Sequence, residues 1–408
     1  MNKTPKGNRL HISIFGKRNV GKSSFINSFT EQELSIVSSV PGTTTDPVEK
    51  AYELLPFGPI LLTDTAGYDD TGTLGKKRIS KTFEILKRTD FAILLVGLNT
   101  FDEYEENLVN RLAKSNTPWM IIINKADTRS KEDIDQYQKQ LSSKYKIPVL
   151  PYCSLNQDKL NDLKNIMIKQ IEDLSPPPPI IKDLITKNDT VVLVMPVDKE
   201  APTGRLILPQ AQTVRECLDA NVTCIVIQES ELDHTLKNVL KHKPKLVVTD
   251  SQVFKKVNET VPSDIMITSF SILFARQKGD LSSYIQGLNA IKELKNDDNI
   301  LIAELCSHHS IYEDIGRVKI PKWLREKTGL KLNFDISSGK NFPEDLSSYK
   351  LVIQCGGCMV NRKLIMSRIH KSNNGNIPIT NYGLIIADIL GIVDRVMTPF
   401  PDTLKLLK

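Results

Sequence analysis

The chain has 408 residues, of which 40% are apolar and 25% charged, with a formal net charge of +6. That composition suits a soluble globular protein long enough for two or three domains, each with its own core. The charge is mild and forms no long Lys/Arg block, so it leaves a nucleic-acid partner possible without arguing for one, and none is expected. No apolar run reaches the roughly 18 residues of a membrane span, so no membrane partner is expected either.

The opening MNKTPKGNRLHISIFG lacks the apolar core and small-residue cleavage site of a secretory signal. Six cysteines in so long a chain do not read as a disulfide framework. A cytoplasmic location is the expectation. From Leu10 to about Leu174, the runs HISIFG, ILLTDTAG, FAILLVGL, WMIIINK and IPVLPYC alternate with polar, helix-compatible stretches. This rhythm predicts an α/β doubly wound parallel sheet over residues 1–174. The proline run SPPPP, Ser175 to Pro179, cannot continue a helix and marks a domain boundary.

A second alternating block, 175–278, carries TVVLVMPVD, TCIVIQES, KLVVTDSQVF and DIMITSFSILFA. It predicts a small parallel α/β unit without a phosphate loop, suited to scaffolding or self-association. The third block, 279–408, holds a predicted helix from Leu281 to Lys295, the strands NILIAEL and KLVIQ, and the closing IPITNYGLIIADILGIV.

The first strand run leads into GKRNVGKS, Gly16 to Ser23, followed by helix-compatible SSFINSF. This is the G-x-x-x-x-G-K-S phosphate loop in its required context. Its glycines let the backbone N–H groups face phosphate oxygens, so Gly16, Val20, Gly21 and Ser24 are binding positions. Lys22 reaches the β- and γ-phosphates and Ser23 holds Mg2+. PGTTTD, Pro41 to Asp46, resembles a first switch whose Thr44 closes on Mg2+ and the γ-phosphate. DTAG resembles a second switch, with Asp64 binding Mg2+ through water and the Gly67 N–H meeting the γ-phosphate. NKAD supplies Asn124, Lys125 and Asp127, whose carboxylate accepts from guanine N1 and N2; Ser154 belongs to the loop that meets guanine O6. Together these predict a GTPase that binds GTP and GDP. The stretch resembles Era/TrmE-like GTPases, in which an asparagine at the position of Asn19 helps bind an activating potassium ion. Tyr68 stands where Ras-type proteins have a water-orienting glutamine, so slow intrinsic hydrolysis is expected.

The third block carries a different chemistry. Cys355-Gly-Gly-Cys358 forms a C-x-x-C, and Cys306 with His308 stands upstream. Three thiolates from two strand ends suit an iron–sulfur cluster or another soft metal. Zinc needs a fourth ligand as well, and a thioredoxin-type redox pair would need no distant Cys-x-His. Cys217 and Cys224 read as small packed hydrophobes, and Cys153 as part of the guanine loop.

The segments PGTTTDPVEKAYELLPFGPI, DTAGYDDTGTLGKKR, EDIGRVKIPKWL and CGGCMVNRK…PITNYG resemble the HydF family of iron–iron hydrogenase maturation GTPases over essentially the whole chain. The resemblance implies a dimerising middle domain (175–278) and a C-terminal domain (279–408) with a [4Fe–4S] cluster on Cys306, Cys355 and Cys358. It implies a scaffold that receives a diiron precursor from radical-SAM maturases and delivers it to apo FeFe-hydrogenase. The family often has histidine directly before C-G-G-C. Here Gln354 stands there, and an amide is a poor iron ligand. Glu313, His308 or solvent is left as the fourth ligand. The competing expectation is an Era/TrmE-type RNA- or ribosome-associated GTPase with a structural metal.

Overall fold

A computed structural model describes residues 4–31, 47–67, 80–153, 157–172, 176–196, 206–305, 314–339 and 341–408. They divide into two compact units, Met1–Pro176 and Pro177–Lys408.

The first unit is built on one six-stranded sheet in the order β2-β3-β1-β4-β5-β6. Its strands are β1 (Leu10–Phe15), β2 (Val48–Leu54), β3 (Gly58–Asp64), β4 (Phe91–Val96), β5 (Trp119–Ile123) and β6 (Val149–Pro151). All neighbours are parallel except β2, which runs antiparallel along β3. The run FAILLV makes β4 because the strand is covered on both faces and all six side chains are buried. Ile93 and Leu95 enter one core with Ile12, Ile14 and Phe25, while Ala92, Leu94 and Val96 enter the opposite core with Phe15. That period of two is the pleat itself. The flanking helices begin where the sequence provides caps. Asp102 accepts from Tyr104 N at 3.0 Å, and Glu105 returns a bond to Asp102 N at 3.0 Å, opening the helix Glu103–Lys114.

The second unit carries two parallel four-stranded sheets, β10-β9-β7-β8 and β12-β11-β13-β14. The first sheet comprises β7 (Thr190–Val194), β8 (Thr223–Ile227), β9 (Leu246–Thr249) and β10 (Met266–Ser269). The second comprises β11 (Asn299–Ala303), β12 (Asn333–Ser337), β13 (Tyr349–Gln354) and β14 (Ile379–Asn381). One continuous hydrophobic core, from Ile180 to Phe400, runs through both. The helix Phe270–Lys278 joins them, packing against the helices Arg362–Asn374 and Tyr382–Ile389. Gly383 makes the second contact possible, since a Cβ there would stand 2.6 Å from Ser271 Cβ. The α-helix expected to reach Lys295 ends at Asn289, and a single 3-10 turn, Ala290–Glu293, follows it.

Each sheet reverses its direction of growth about its middle pair: β1 and β4, β7 and β9, β11 and β13. In open α/β sheets the crevice at the carboxyl ends of such a pair is where ligands bind.

Candidate functional site

The phosphate loop leaves β1 at its switch point. Gly16 lies against β4, where a Cβ would stand 2.5 Å from the Leu95 carbonyl oxygen. Gly21, at φ +98°, caps the helix Lys22–Thr30, and a Cβ there would meet Asn124 Nδ2 at 2.4 Å. Lys22 is buried and donates to the carbonyls of Gly16 at 2.9 Å and Lys17 at 2.8 Å. Its ammonium therefore lies across the loop, at the helix N-terminus that favours anions.

Ser23 Oγ donates to Asp64 Oδ2 at 2.5 Å, which puts two expected Mg2+ positions side by side. Burial pushes the Asp64 carboxyl above the usual carboxylate range, against the Ser23 bond and the nearby Lys22 charge. A divalent cation would reverse that penalty by favouring the charged form. Asn124 donates through Nδ2 to the Val20 carbonyl at 2.8 Å, tying the guanine motif to the phosphate loop. Lys125 Nζ approaches Asn19 O at 3.5 Å. Asn19 itself is exposed at φ +60°, and Asp127 is exposed on the turn Ala126–Thr128. Ser24 is exposed on the first turn of the helix, and Gly67 lies just beyond β3. Thr44, Tyr68 and Ser154 lie outside the described residues.

The thiols occupy the corresponding place on the last sheet. Cys355 directly follows β13, which pairs with β11 at the switch point. Cys355 N donates to Ala303 O at 3.0 Å, and Leu305 N donates to Cys355 Sγ at 3.2 Å. Gly357, at φ +62°, makes the turn between the two thiols. A Cβ there would press on Ile365 Cδ1 at 2.5 Å and Leu305 Cδ1 at 2.8 Å. Cys355 and Cys358 are half-buried. Burial first, and the Cys355 charge second, push the Cys358 thiol up, while Lys278 and the N–H groups of Cys358 and Met359 act downward.

Gln354 is fully buried and gives its Nε2 to the Tyr284 hydroxyl at 2.7 Å. Cys306, His308 and Glu313 lie outside the described residues. Among the described residues no group of three His, Cys, Asp or Glu side chains converges on a point. The ends of the 306–313 segment are flanked by a fork in which Arg317 Nη2 meets Glu304 Oε2 at 2.6 Å. Arg317 lies in the EDIGRVKIPKWL segment and Glu304 in the NILIAEL run, but neither had been singled out as a site residue. Cys217 is buried in the core beside Cys224, as small packed hydrophobes would be.

A phosphate loop at the switch point of a doubly wound sheet, with a guanine motif bonded to it, defines the first unit as a P-loop GTPase domain that binds GTP and GDP. Comparison with known proteins agrees. Residues 11–125 match the "50S ribosome-binding GTPase" family model. GTPase Der of Campylobacter hominis is 29% identical over 168 residues, 39% of this chain and 36% of that protein. GTPase Der of Clostridium perfringens is 33% identical over 151 residues, 35% of this chain and 34% of that protein. The chain thus spans about a third of the length of these curated relatives. Among solved structures, Era of Aquifex aeolicus bound to GDP·AlF4− shares 18% identity and covers 61% of this chain and 97% of its own, with a TM-score of 0.36. The G domain of the Thermotoga maritima FeoB iron transporter shares 21%, covers 40% and 99%, and gives 0.31.

The second unit decides the family. Residues 180–279 match the "Hydrogen maturase F dimerization domain" and residues 282–399 the "Hydrogen maturase F tetramerization domain", together more than half of the chain. The chain belongs to the hydrogen maturase F family. Both descriptions name self-association, and the second assigns it to the block that sequence reading had reserved for thiol chemistry. Among the described residues no helix is long and apolar enough to cross a membrane.

Proposed function

We propose that the protein is a GTP-hydrolysing scaffold for FeFe-hydrogenase maturation. In this reading 1–174 is the GTPase domain, 175–278 forms a homodimer, and 279–408 holds a [4Fe–4S] cluster on Cys306, Cys355 and Cys358. The cluster site carries a diiron precursor from radical-SAM maturases to apo-hydrogenase in the cytoplasm. The observation that supports it most is the placement of Cys355 and Cys358 at a switch point inside the hydrogen maturase F match.

Two thiols on one glycine turn, with a backbone N–H already on one sulfur, make a donor set fit for a thiolate-bound iron centre. Iron in such a centre supplies electron transfer and an exchangeable coordination position. This chain's own residues supply the anionic sulfurs and the dry wall behind them. Gln354 gives its Nε2 to Tyr284, and an amide is a poor iron ligand, which leaves Glu313, His308 or solvent as the fourth.

In the GTPase domain, water attacks the γ-phosphorus in line and the bond to the β–γ bridging oxygen breaks, giving GDP and phosphate. Lys22 and the loop N–H groups offset the charge on the phosphate oxygens. Ser23, Thr44 and Asp64 are the Mg2+ positions, and Gly67 N–H faces the γ-phosphate. Asn19 is the potassium position, and Tyr68 in place of a water-orienting amide makes turnover slow. The RNA- or ribosome-associated alternative rests on the GTPase domain alone.

The test is anaerobic reconstitution with iron and sulfide, followed by reduction, low-temperature EPR and Fe, S and Zn analysis. About four iron atoms per chain and an S = 1/2 signal, both lost in Cys355→Ser, are expected. Tightly bound zinc with no reducible cluster would end this reading.

A further inference from the structure

Beneath the C-G-G-C turn lies a cation that no motif marks. Lys278, the last residue of the helix Phe270–Lys278, is only 5% exposed. Its Nζ donates to three carbonyls of the turn: Val360 at 2.9 Å, Cys358 at 3.1 Å and Gly357 at 3.4 Å. Three acceptors match the three N–H bonds of an ammonium, and a neutral amine would present its lone pair to one of them. Burial opposes the charge, while the neighbouring Cys358 favours it. A buried charge of this kind is costly unless it is paired and hydrogen-bonded.

The carbonyl and N–H of a trans peptide point in opposite directions. Holding the Gly357 and Cys358 carbonyls downward therefore turns the N–H groups of Cys358 and Met359 upward. Those two N–H groups face the side of the turn away from the ammonium. The helix carrying Lys278 is fixed from the same side, because Arg362 donates to Gln277 O at 2.8 Å and Gly279 O at 2.6 Å.

We propose that Lys278 is a positioning residue for the thiolate centre. It orients the Cys358 and Met359 peptides so that their N–H groups face away from its ammonium, and it places a positive charge under an anionic cluster. This rests on the reading of Cys355 and Cys358 as cluster ligands. Reduction adds negative charge to the cluster, so a fixed cation and N–H donors both raise its potential. Lys278 also comes from the segment matched by the dimerization model, while the thiols come from the one matched by the tetramerization model. The cluster's electrostatics are thus set across the junction of the two modules.

The experiment is an EPR-monitored redox titration of the reconstituted full chain, wild type beside Lys278→Met, Lys278→Gln and Lys278→Arg at matched iron content. Amide hydrogen exchange at residues 355–360 of the metal-free proteins runs in parallel. Lys278→Met and Lys278→Gln are expected to shift the midpoint to more negative values, and Lys278→Arg to hold it near wild type. Exchange at Cys358 and Met359 should speed up in Lys278→Met and stay closer to wild type in Lys278→Gln, which keeps two donors. Lys278→Gln also carries the test if the Met variant does not fold. A wild-type cluster with unchanged midpoints in both neutral variants overturns the proposal alone. A wild type that takes up no reducible cluster overturns the underlying reading, and the proposal with it.

Discussion

The nucleotide pocket and the thiol turn sit at equivalent places in their sheets, and they are held together differently. Both emerge where an open parallel sheet reverses its direction of growth, beside β4 in one case and β11 in the other. In the pocket, motifs far apart in sequence bond to one another: Asn124 to Val20, Ser23 to Asp64. In the proposed reading each partner is itself a binding residue. At the thiol turn the supports bind nothing. Lys278 donates to the Gly357, Cys358 and Val360 carbonyls, and Leu305 N donates to the Cys355 sulfur. Phosphate is bound by N–H groups that a short glycine loop can present unaided, whereas a thiolate centre needs its charge balanced from behind.

The largest way to sharpen this contrast is Asp64→Asn. Losing the anionic Mg2+ position should lower GTP turnover about 100-fold or more, as removal of a transition-state partner does. The same change should raise the thermal midpoint of the nucleotide-free protein at pH above the folded pKa of Asp64. The buried Asp64 has a raised folded pKa, so its charged form costs stability above that pKa. This cost is fully present above the folded pKa and is lost as pH falls through it toward the unfolded value of 3.8. Calorimetry from neutral to acid pH should therefore show the wild type and variant converging. Iron content should not change, because the two sites belong to separate compact units.

A smaller effect is expected from Asn124→Ala, which removes the bond to Val20. Leaving a buried acceptor unpaired costs roughly 1–3 kcal/mol, so GTP affinity by titration calorimetry should fall about tenfold. At the thiol turn, Gly357→Ala puts a Cβ at positive φ against Ile365 and Leu305. It should destabilise the fold by more than about 1 kcal/mol in denaturant and lower iron uptake, with GTP affinity unchanged. If Gly357→Ala weakened GTP binding, the independence of the two sites would fail.

The smallest change in fold stability is expected at the outer strand β8, where Val226 is 46% exposed on an open sheet edge. Val226→Lys should alter stability by no more than ~0.5 kcal/mol while shifting sedimentation toward the monomer.

How much could be read beforehand follows from the same contrast. The inner strands and the GTPase motifs were legible because a buried parallel strand is a continuous apolar run and each motif is short. β2 and β12 were not, since VEKAYEL and NFDIS lie on sheet edges and expose polar residues. The two thiols announced themselves by spacing, but Lys278 is one lysine among many. Its role comes from burial beneath a turn about eighty residues further along the chain, which no local pattern encodes. Gln354 was recognised as a departure from the family pattern, but its bond to Tyr284 depends on the meeting of β13 with the helix Leu281–Asn289.

The measurement that bears most directly on the central claim is activation of apo FeFe-hydrogenase. The protein, produced alongside the radical-SAM maturases, is mixed anaerobically with apo-enzyme, and hydrogen evolution is followed for wild type and Cys355→Ser. The account predicts activation by the wild type and none by the variant, with GTP hydrolysis intact in both. Equal activation by both proteins would contradict a role for the thiol turn in carrying the precursor. No activation by a cluster-loaded wild type would contradict the scaffold itself.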